Sequence, residues 1–312
     1  MRRIFAAGEA LIDIIFSGGE PRTAKAGGAM LNTSVSLGRA GLPVSFISEY
    51  GADDPGNLID RFLKENGVDT SYVYRFDNGN TALALAFLDE NNDARYTFYK
   101  NYPLHRLDIE LPGLSREDIF LFGSIYALTV EVRASMMQLL RSARENNALV
   151  IYDPNFRSSH IHELEKLKPL ILDNISYATV VRGSHEDFRN IFGMEGADEV
   201  WDSLRSLCKS VIYTNSTRGV SVRTSSFSGE FPVKKIKPVS TIGAGDNFNA
   251  GLIAAFYTGN INMYDIPELG FRDWEKIIAT AVDFATEVCL SYDNYIGREF
   301  ASRYRSASGL HI

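Results

Sequence analysis

Short apolar runs punctuate this chain, and between them the hydrophobic positions fall at helical spacing. The runs "IFAAG", "VSFIS", "IFLFG", "LVIYD", "ATVV" and "SVIYT" have the length and β-branched or aromatic content of buried strands. Strands alternating with helices predict an α/β protein with a largely parallel sheet. In "DDPGNLIDRFLKENG", Asp54 is a candidate cap and Pro55 the first helical residue. Leu58, Ile59, Phe62 and Leu63 then share one face, and Gly67 supplies the stop. Further on, "RSLCKSVIYTNSTRGVSVRTSSFSGEFPV" reads as strand, turn, strand, so the later sheet is expected to acquire antiparallel members.

One region breaks the alternation. "TALALAFLDENNDARYTFYKN", Thr81 to Asn101, predicts a hairpin closed by the polar turn "DENND". A short strand, "LIDIIFSG", carries Asp13 among apolar neighbours, and it pairs naturally with that hairpin into a small sheet standing off the main body. The fold predicted is a three-layer α/β/α sandwich with a small β-sheet lid. Neither a repeat nor a low-complexity tract divides the chain, so residues 1–312 are read as one domain, with lid strands from about 10–18 and 81–101.

Composition narrows the partners. At 312 residues and 45% hydrophobic the chain can bury a substantial core, and a formal charge of -7 gives no basic field to hold a phosphate backbone. Nucleic acid is therefore excluded as a partner, and small molecules are expected. No apolar run reaches the roughly 18 residues of a membrane span, and Glu9 and Asp13 interrupt the early apolar stretch where a signal peptide would be unbroken. The cytoplasm is the expected compartment. Cys208 and Cys289, the two cysteines, form no CxxC and are expected in the core. His160 and His162 form an HxH with no third ligand nearby, which reads as a solvated loop before a helix.

The chemistry is concentrated in "KPVSTIGAGDNFNAGLIAAFYTGN". Phe248, Leu252, Ala255 and Phe256 recur at helical spacing and Gly259 ends the run, so a helix opens at the glycines. The free N–H groups of Gly243, Ala244 and Gly245, with the positive end of the helix dipole, make an anion hole suited to a phosphoryl group in flight. Asp246 beside it is placed to accept a proton from an attacking alcohol. The plainer alternative is a tight glycine turn in which Asp246 only stabilises the helix start. The chain has no P-loop, and its glycines come too late for a dinucleotide-binding opening. A second constellation, "KAGGAMLNTSVSLGRAG", puts Gly27 and Gly28 before a helix and Asn32 one turn in, an arrangement that lets a polyol lie against bare backbone. Asp13 needs a partner if buried, and sugar hydroxyls or a protein donor would both serve.

The motifs "GEALIDI", "GGAMLN", "EYGADDPGNLI" with "NGVDT", "YDPNFR" and "STIGAGDNFNAG" occur in the order of the ribokinase-like PfkB carbohydrate kinases, which this chain resembles over most of its length. Within that family "GEALIDI" and "YDPNFR" look most like the fructokinase and 2-keto-3-deoxygluconate kinase branches. The resemblance implies that Asp246 is the catalytic base, with Gly243, Ala244 and Gly245 as anion hole. It implies that Asp13, Gly27, Gly28 and Asn32 bind the sugar, that Arg95 and Arg157 reach sugar or phosphate, and that ATP with magnesium is the donor. Thr214 and Gly219 would line the nucleotide site. Ser184 and Asp187 of "SHED" stand where relatives carry an N-x-x-E motif, so Asp187 would hold magnesium through water, though it is one methylene shorter than glutamate. "TNSTRG" and "CLSYDNYIG" depart from the family pattern and imply a remodelled adenine pocket. The activity implied is phosphoryl transfer from ATP to a primary hydroxyl of a ketose such as fructose. A 2-keto-3-deoxygluconate kinase, a nucleoside kinase and a catalytically impaired sugar sensor are the alternatives, and a homodimer formed through the lid is also expected.

Overall fold

In a strand, neighbouring residues point to opposite faces, and here that alternation sorts the core into two halves. The computed structural model describes residues 2–88 and 94–310. The first part of the chain runs β1 (Ile4–Ala7), β2 (Leu11–Ser17), β3 (Glu20–Gly27), α1 (Ala29–Arg39), β4 (Val44–Gly51), α2 (Asp54–Glu65), β5 (Val68–Asp69), β6 (Val73–Phe76), β7 (Asn80–Leu88) and β8 (Ala94–Asn101). It continues through β9 (Ile119–Gly123), α3 (Arg133–Glu145), β10 (Leu149–Asp153), α4 (Leu164–Tyr177), β11 (Val180–Ser184), α5 (His185–Phe192) and α6 (Ala197–Leu204). The last part comprises β12 (Ser210–Asn215), β13 (Gly219–Thr224), β14 (Ser228–Phe231), α7 (Ala244–Thr258), α8 (Phe271–Cys289) and α9 (Arg298–Ser308).

A ten-stranded sheet has the order β14-β13-β12-β11-β10-β9-β1-β4-β5, with β6 paired to β4. From β4 to β12 its neighbours are parallel, and β13 and β14 turn antiparallel as expected. Ile4 and Ala6 of β1 face a core shared with α1, α2, α7, α8 and α9. Phe5 and Ala7 face the opposite core, built with α3, α4, α5 and α6. The result is the expected three layers. Among the described residues no helix is long and apolar enough to cross a membrane.

The lid is a second, four-stranded sheet of order β3-β2-β7-β8. Its hairpin pairs β7 with β8 antiparallel, while β2 joins β7 in parallel. The turn "DENND" lies outside the described residues. The polar strand β3, "EPRTAKAG", was not expected: exposed along most of its length, it carries no apolar alternation to announce it.

Three local expectations need correction. The cap of α2 is Asp53, not Asp54, because Asp53 is the extended residue whose carboxylate accepts the Gly56 N–H at 2.9 Å. Pro55 accordingly falls one position deeper in the first turn. Leu58 does not join the buried face; it is 49% exposed while Ile59 and Leu63 are fully buried. Cys208 is buried, but Cys289 at the end of α8 is only half-buried. His160 bonds Glu163 at 3.0 Å in a six-residue 3₁₀ segment, Ser158–Glu163, before α4, and His162 is exposed.

Candidate active site

The turn that opens α7 is built around a backbone only glycine adopts freely. Gly243 is the N-cap with φ of 79°, and a β-carbon there would press on Asn294. No side chain caps this helix; the Ala244 N–H turns back to Thr241 O at 3.3 Å, a long bond that an incoming anion could displace, and the N–H groups that follow point out of the helix start. The adjoining loop, residues 290–297, holds the turn from behind. Asn247 Nδ2 donates to Asn294 O at 2.8 Å, and Ser36 Oγ of α1 joins Asn247 Oδ1 at 2.5 Å to Ile296 N at 3.1 Å. The same loop reaches the lid, where Lys25 Nζ of β3 donates to Asp293 Oδ1 at 3.0 Å and Tyr292 O at 3.1 Å.

Asp246 sits at the junction of α7 and α1. Asn32 Nδ2 donates to its Oδ2 at 2.8 Å, and Thr33 Oγ1 donates to its main-chain carbonyl at 2.8 Å. Burial pushes its pKa up to about 6; the Asn32 hydrogen bond opposes this, the Asp153 charge adds to it, and Arg157 and Arg182 pull it back. A carboxylate poised there is a proton acceptor near neutral pH.

The residues expected to bind the sugar lie close to Asp246. Gly28, with φ of 134°, caps α1 and brings its backbone against Glu9 O, where a β-carbon would collide. A β-carbon on Gly27 would strike the Asp13 carboxylate directly. Asp13 is raised to about 6 by burial and then by the charge of Glu9. Asn32 is buried, and with its amide nitrogen on Asp246 its Oδ1 has no partner among the described residues. An unpartnered buried acceptor beside a cleft suits a ligand hydroxyl. Asn32→Ala is therefore expected to weaken sugar binding by about 1–3 kcal/mol and leave ATP affinity unchanged. Calorimetry checks this, and equal losses for both ligands would mean damage to the fold instead.

Strand register decides the two arginines. Asp13 pairs with Ala84, which pairs with Phe98, so Asp13, Ala84 and Phe98 share a face with Tyr96. Arg95 pairs with Phe87 on the opposite face, away from Asp13. Tyr96 lies on Asp13's face, and its phenol pKa is raised by burial and by the Asp13 charge and lowered by Arg157. Arg157 is exposed, and its charge is felt at both Asp246 and Tyr96.

Of the residues expected at the nucleotide, Ser184 and Thr214 are register partners at the ends of β11 and β12. Gly219 opens β13 with φ of 121°, close against Phe231 O. Asp187 does not face the cleft as a free carboxylate. Ser184 and Asp187 form a capping box on α5, and Asp187 also accepts Phe156 N–H at 2.6 Å, so protein donors engage both of its oxygens. Among the described residues no group of three or more His, Cys, Asp or Glu side chains could hold a metal ion.

Sequence reasoning missed a buried polar network beneath the turn that opens α7. Asp153, ending β10, accepts Arg182 Nη1 at 2.9 Å, Asn249 Nδ2 at 2.6 Å and Asn155 N–H at 2.9 Å. Arg182 Nη2 donates to Thr214 Oγ1 at 2.8 Å. The signals were legible: an arginine ends the apolar run "ATVVRGS" and an acid ends "LVIYD". Two buried ions of opposite sign imply each other, since neither is tolerated alone.

A crevice at the carboxyl ends of parallel strands, holding an uncapped helix start and a poised carboxylate, defines a phosphotransferase with a small-molecule acceptor. Residues 1–297 match the family model described as pfkB family carbohydrate kinase, and the chain belongs to that family. It is a sugar kinase. It is 29% identical to "Fructokinase-1" of Zea mays over 298 residues, covering 90% of this chain and 88% of that one. It is 30% identical to "Probable fructokinase-4" of Arabidopsis thaliana over 267 residues, covering 80% and 81%. In three dimensions it resembles a Vibrio cholerae O395 fructokinase solved in a fructose-, ADP- and potassium-bound form, with a TM-score of 0.82, 21% identity and 97% and 98% of the two chains covered. An aminoimidazole riboside kinase from Salmonella enterica is similar at TM-score 0.82 and 21% identity, covering 98% and 99%.

Proposed function

We propose that this sugar kinase phosphorylates a ketose, fructose first among them, at a primary hydroxyl with ATP as donor. The observation that carries the reading is Asp246, a raised-pKa carboxylate beside the open N-terminus of α7 and bonded to Asn32 of the sugar-side helix. Asp13, Gly27, Gly28 and Asn32 bind the sugar, with Arg157 exposed at the same cleft. The hydroxyl proton passes to Asp246 as the alcohol oxygen forms its bond to the γ-phosphorus. The bond from that phosphorus to the bridging oxygen breaks and ADP departs. N–H groups of Gly243, Ala244 and Gly245 stabilise the charge on the equatorial oxygens. Ser184, Thr214 and Gly219 border the nucleotide. Magnesium, carried on the ATP phosphates, would neutralise part of their charge, with Asp187 near enough to the nucleotide to engage it through water.

The curated relatives are named fructokinases, which favours fructose over 2-keto-3-deoxygluconate. The riboside kinase is a likeness of fold alone and does not favour a nucleoside acceptor. ATP and two free thiols suit the cytoplasm. The edge strand β8 exposes Phe98 and Tyr99 by more than half, which supports association of two copies through the lid. ADP formation with fructose, 2-keto-3-deoxygluconate and a nucleoside, each with ATP, tests the assignment. Turnover of either competitor above that of fructose would reject it.

A further inference from the structure

Beneath the anion hole lies a cation that nothing in the mechanism above uses. Arg182 is 6% exposed, and a β-carbon built on Gly245 would sit 2.9 Å from its Nη1 and 3.4 Å from its Nη2. The guanidinium therefore lies flush against the first turn of α7, where Gly245 leaves room for it. Asp153 and Thr214 hold its two terminal nitrogens, and Phe248 lies 5.3 Å from its central carbon. Its Nε is buried and has no partner among the described residues. Asp153 is itself tied to α7 through Asn249 Nδ2. One guanidinium thus joins β10, β11, β12 and α7 at the point where negative charge must be received.

We propose that Arg182 is a positioning residue for phosphoryl transfer. Fixed by Asp153 and Thr214, it props the Gly245 backbone in its anion-binding form and lends positive charge to the hole and to Asp246. The proposal rests on the assignment of Asp246 and the α7 turn given above. It also explains why an arginine is held in place by a neutral hydroxyl as well as a carboxylate. The single bond from Nη1 to Asp153 would let the planar fork pivot, whereas the second anchor, from Nη2 to Thr214 on the next strand, fixes its plane. The charged and titratable groups around Asp246 are Asp153, Arg157 and Arg182, and of these Asp153 raises its pKa while both arginines lower it.

The test is steady-state kinetics with fructose and ATP on the full chain, comparing Arg182→Gln and Arg182→Lys from pH 5 to 9. Arg182→Gln is expected to lower kcat by roughly thirtyfold to several hundredfold, the scale of losing a stabilising donor at an oxyanion, with the fructose KM within about threefold. The acid limb of its kcat/KM profile should move to higher pH, because Asp246 loses a neighbouring cation. Arg182→Lys should recover about tenfold or more of the lost kcat. If the lone Asp153 charge keeps Arg182→Gln from folding, Asp153→Asn/Arg182→Gln removes that charge and is read in the same way. A folded variant with kcat within about threefold of wild type overturns the proposal. So does equal loss in the Lys and Gln variants with the acid limb unmoved, since that is a purely structural role. The two assignments fail separately: near-normal Asp246→Asn would remove the site itself, whereas active Arg182→Gln beside inactive Asp246→Asn removes only Arg182.

Discussion

Asp246→Asn is expected to lose roughly a hundredfold or more of its turnover while still binding fructose, because the amide cannot take the hydroxyl proton yet can still accept the Asn32 hydrogen bond. Stopped turnover with sugar affinity kept, measured by calorimetry, is the outcome that assigns the base; near-normal kcat removes Asp246 from the mechanism. Stability should move the other way. The folded carboxyl titrates near 6 rather than at the ordinary 3.8, so the native state holds its proton more tightly than the unfolded chain does. Below the ordinary value both states are protonated and the residue costs nothing. The cost grows as pH rises from about 4 to 6 and is complete above that, on the order of 3 kcal/mol at about 1.4 kcal/mol per tenfold in proton affinity. The asparagine variant should therefore melt at a higher temperature than wild type at pH 7.5 and at nearly the same temperature at pH 4. The acid limb of wild-type kcat/KM should fall near pH 6 for the same reason.

Gly27→Ala should raise the fructose KM by about tenfold to a hundredfold and leave the ATP KM alone. The added methyl has no room beside the Asp13 carboxylate, and displacing that carboxylate or the lid costs about 1–3 kcal/mol. Gly27 has no left-handed backbone to protect, so the effect is one of space and not of strain. Gly28 is the opposite case, since its φ of 134° alone disfavours a side chain. A Gly27→Ala enzyme with unchanged fructose KM would show that Asp13 is not a sugar ligand.

These residues also show how far the sequence could be read. The strands of the central sheet were legible because both of their faces are buried, so "IFLFG" and "LVIYD" are apolar throughout. β3 was not, because a lid strand facing water carries no such pattern. Glycines that open helices announced the α7 turn and the sugar helix, since local sequence dictates local backbone. Side-chain facing is a tertiary matter. Arg95 and Tyr96 are neighbours in sequence, and only the pairing of β8 with β7 and of β7 with β2 decides which one shares a face with Asp13. Asp187 was singled out by its position, and its place in the first turn of α5, which makes it a capping residue, was not legible from that position alone. The Arg182 and Asp153 pair spans 29 positions, and motif spacing gives no measure of such a contact.

The loop of residues 290–297 bears on a hazard every kinase faces, which is spending ATP on water. Lys25 ties this loop to the lid, Ser36 ties it to the sugar helix, and Asn294 packs it against Gly243. Lifting the lid in the absence of sugar would pull on the piece of backbone that shapes the phosphate-receiving turn and would make the idle enzyme a poor hydrolase. Sugar-free ADP release should accordingly be far slower than turnover with fructose, and Lys25→Met, which cuts the tie, should bring the two rates closer together. Unchanged idle hydrolysis in that variant would show that the lid and the turn close independently.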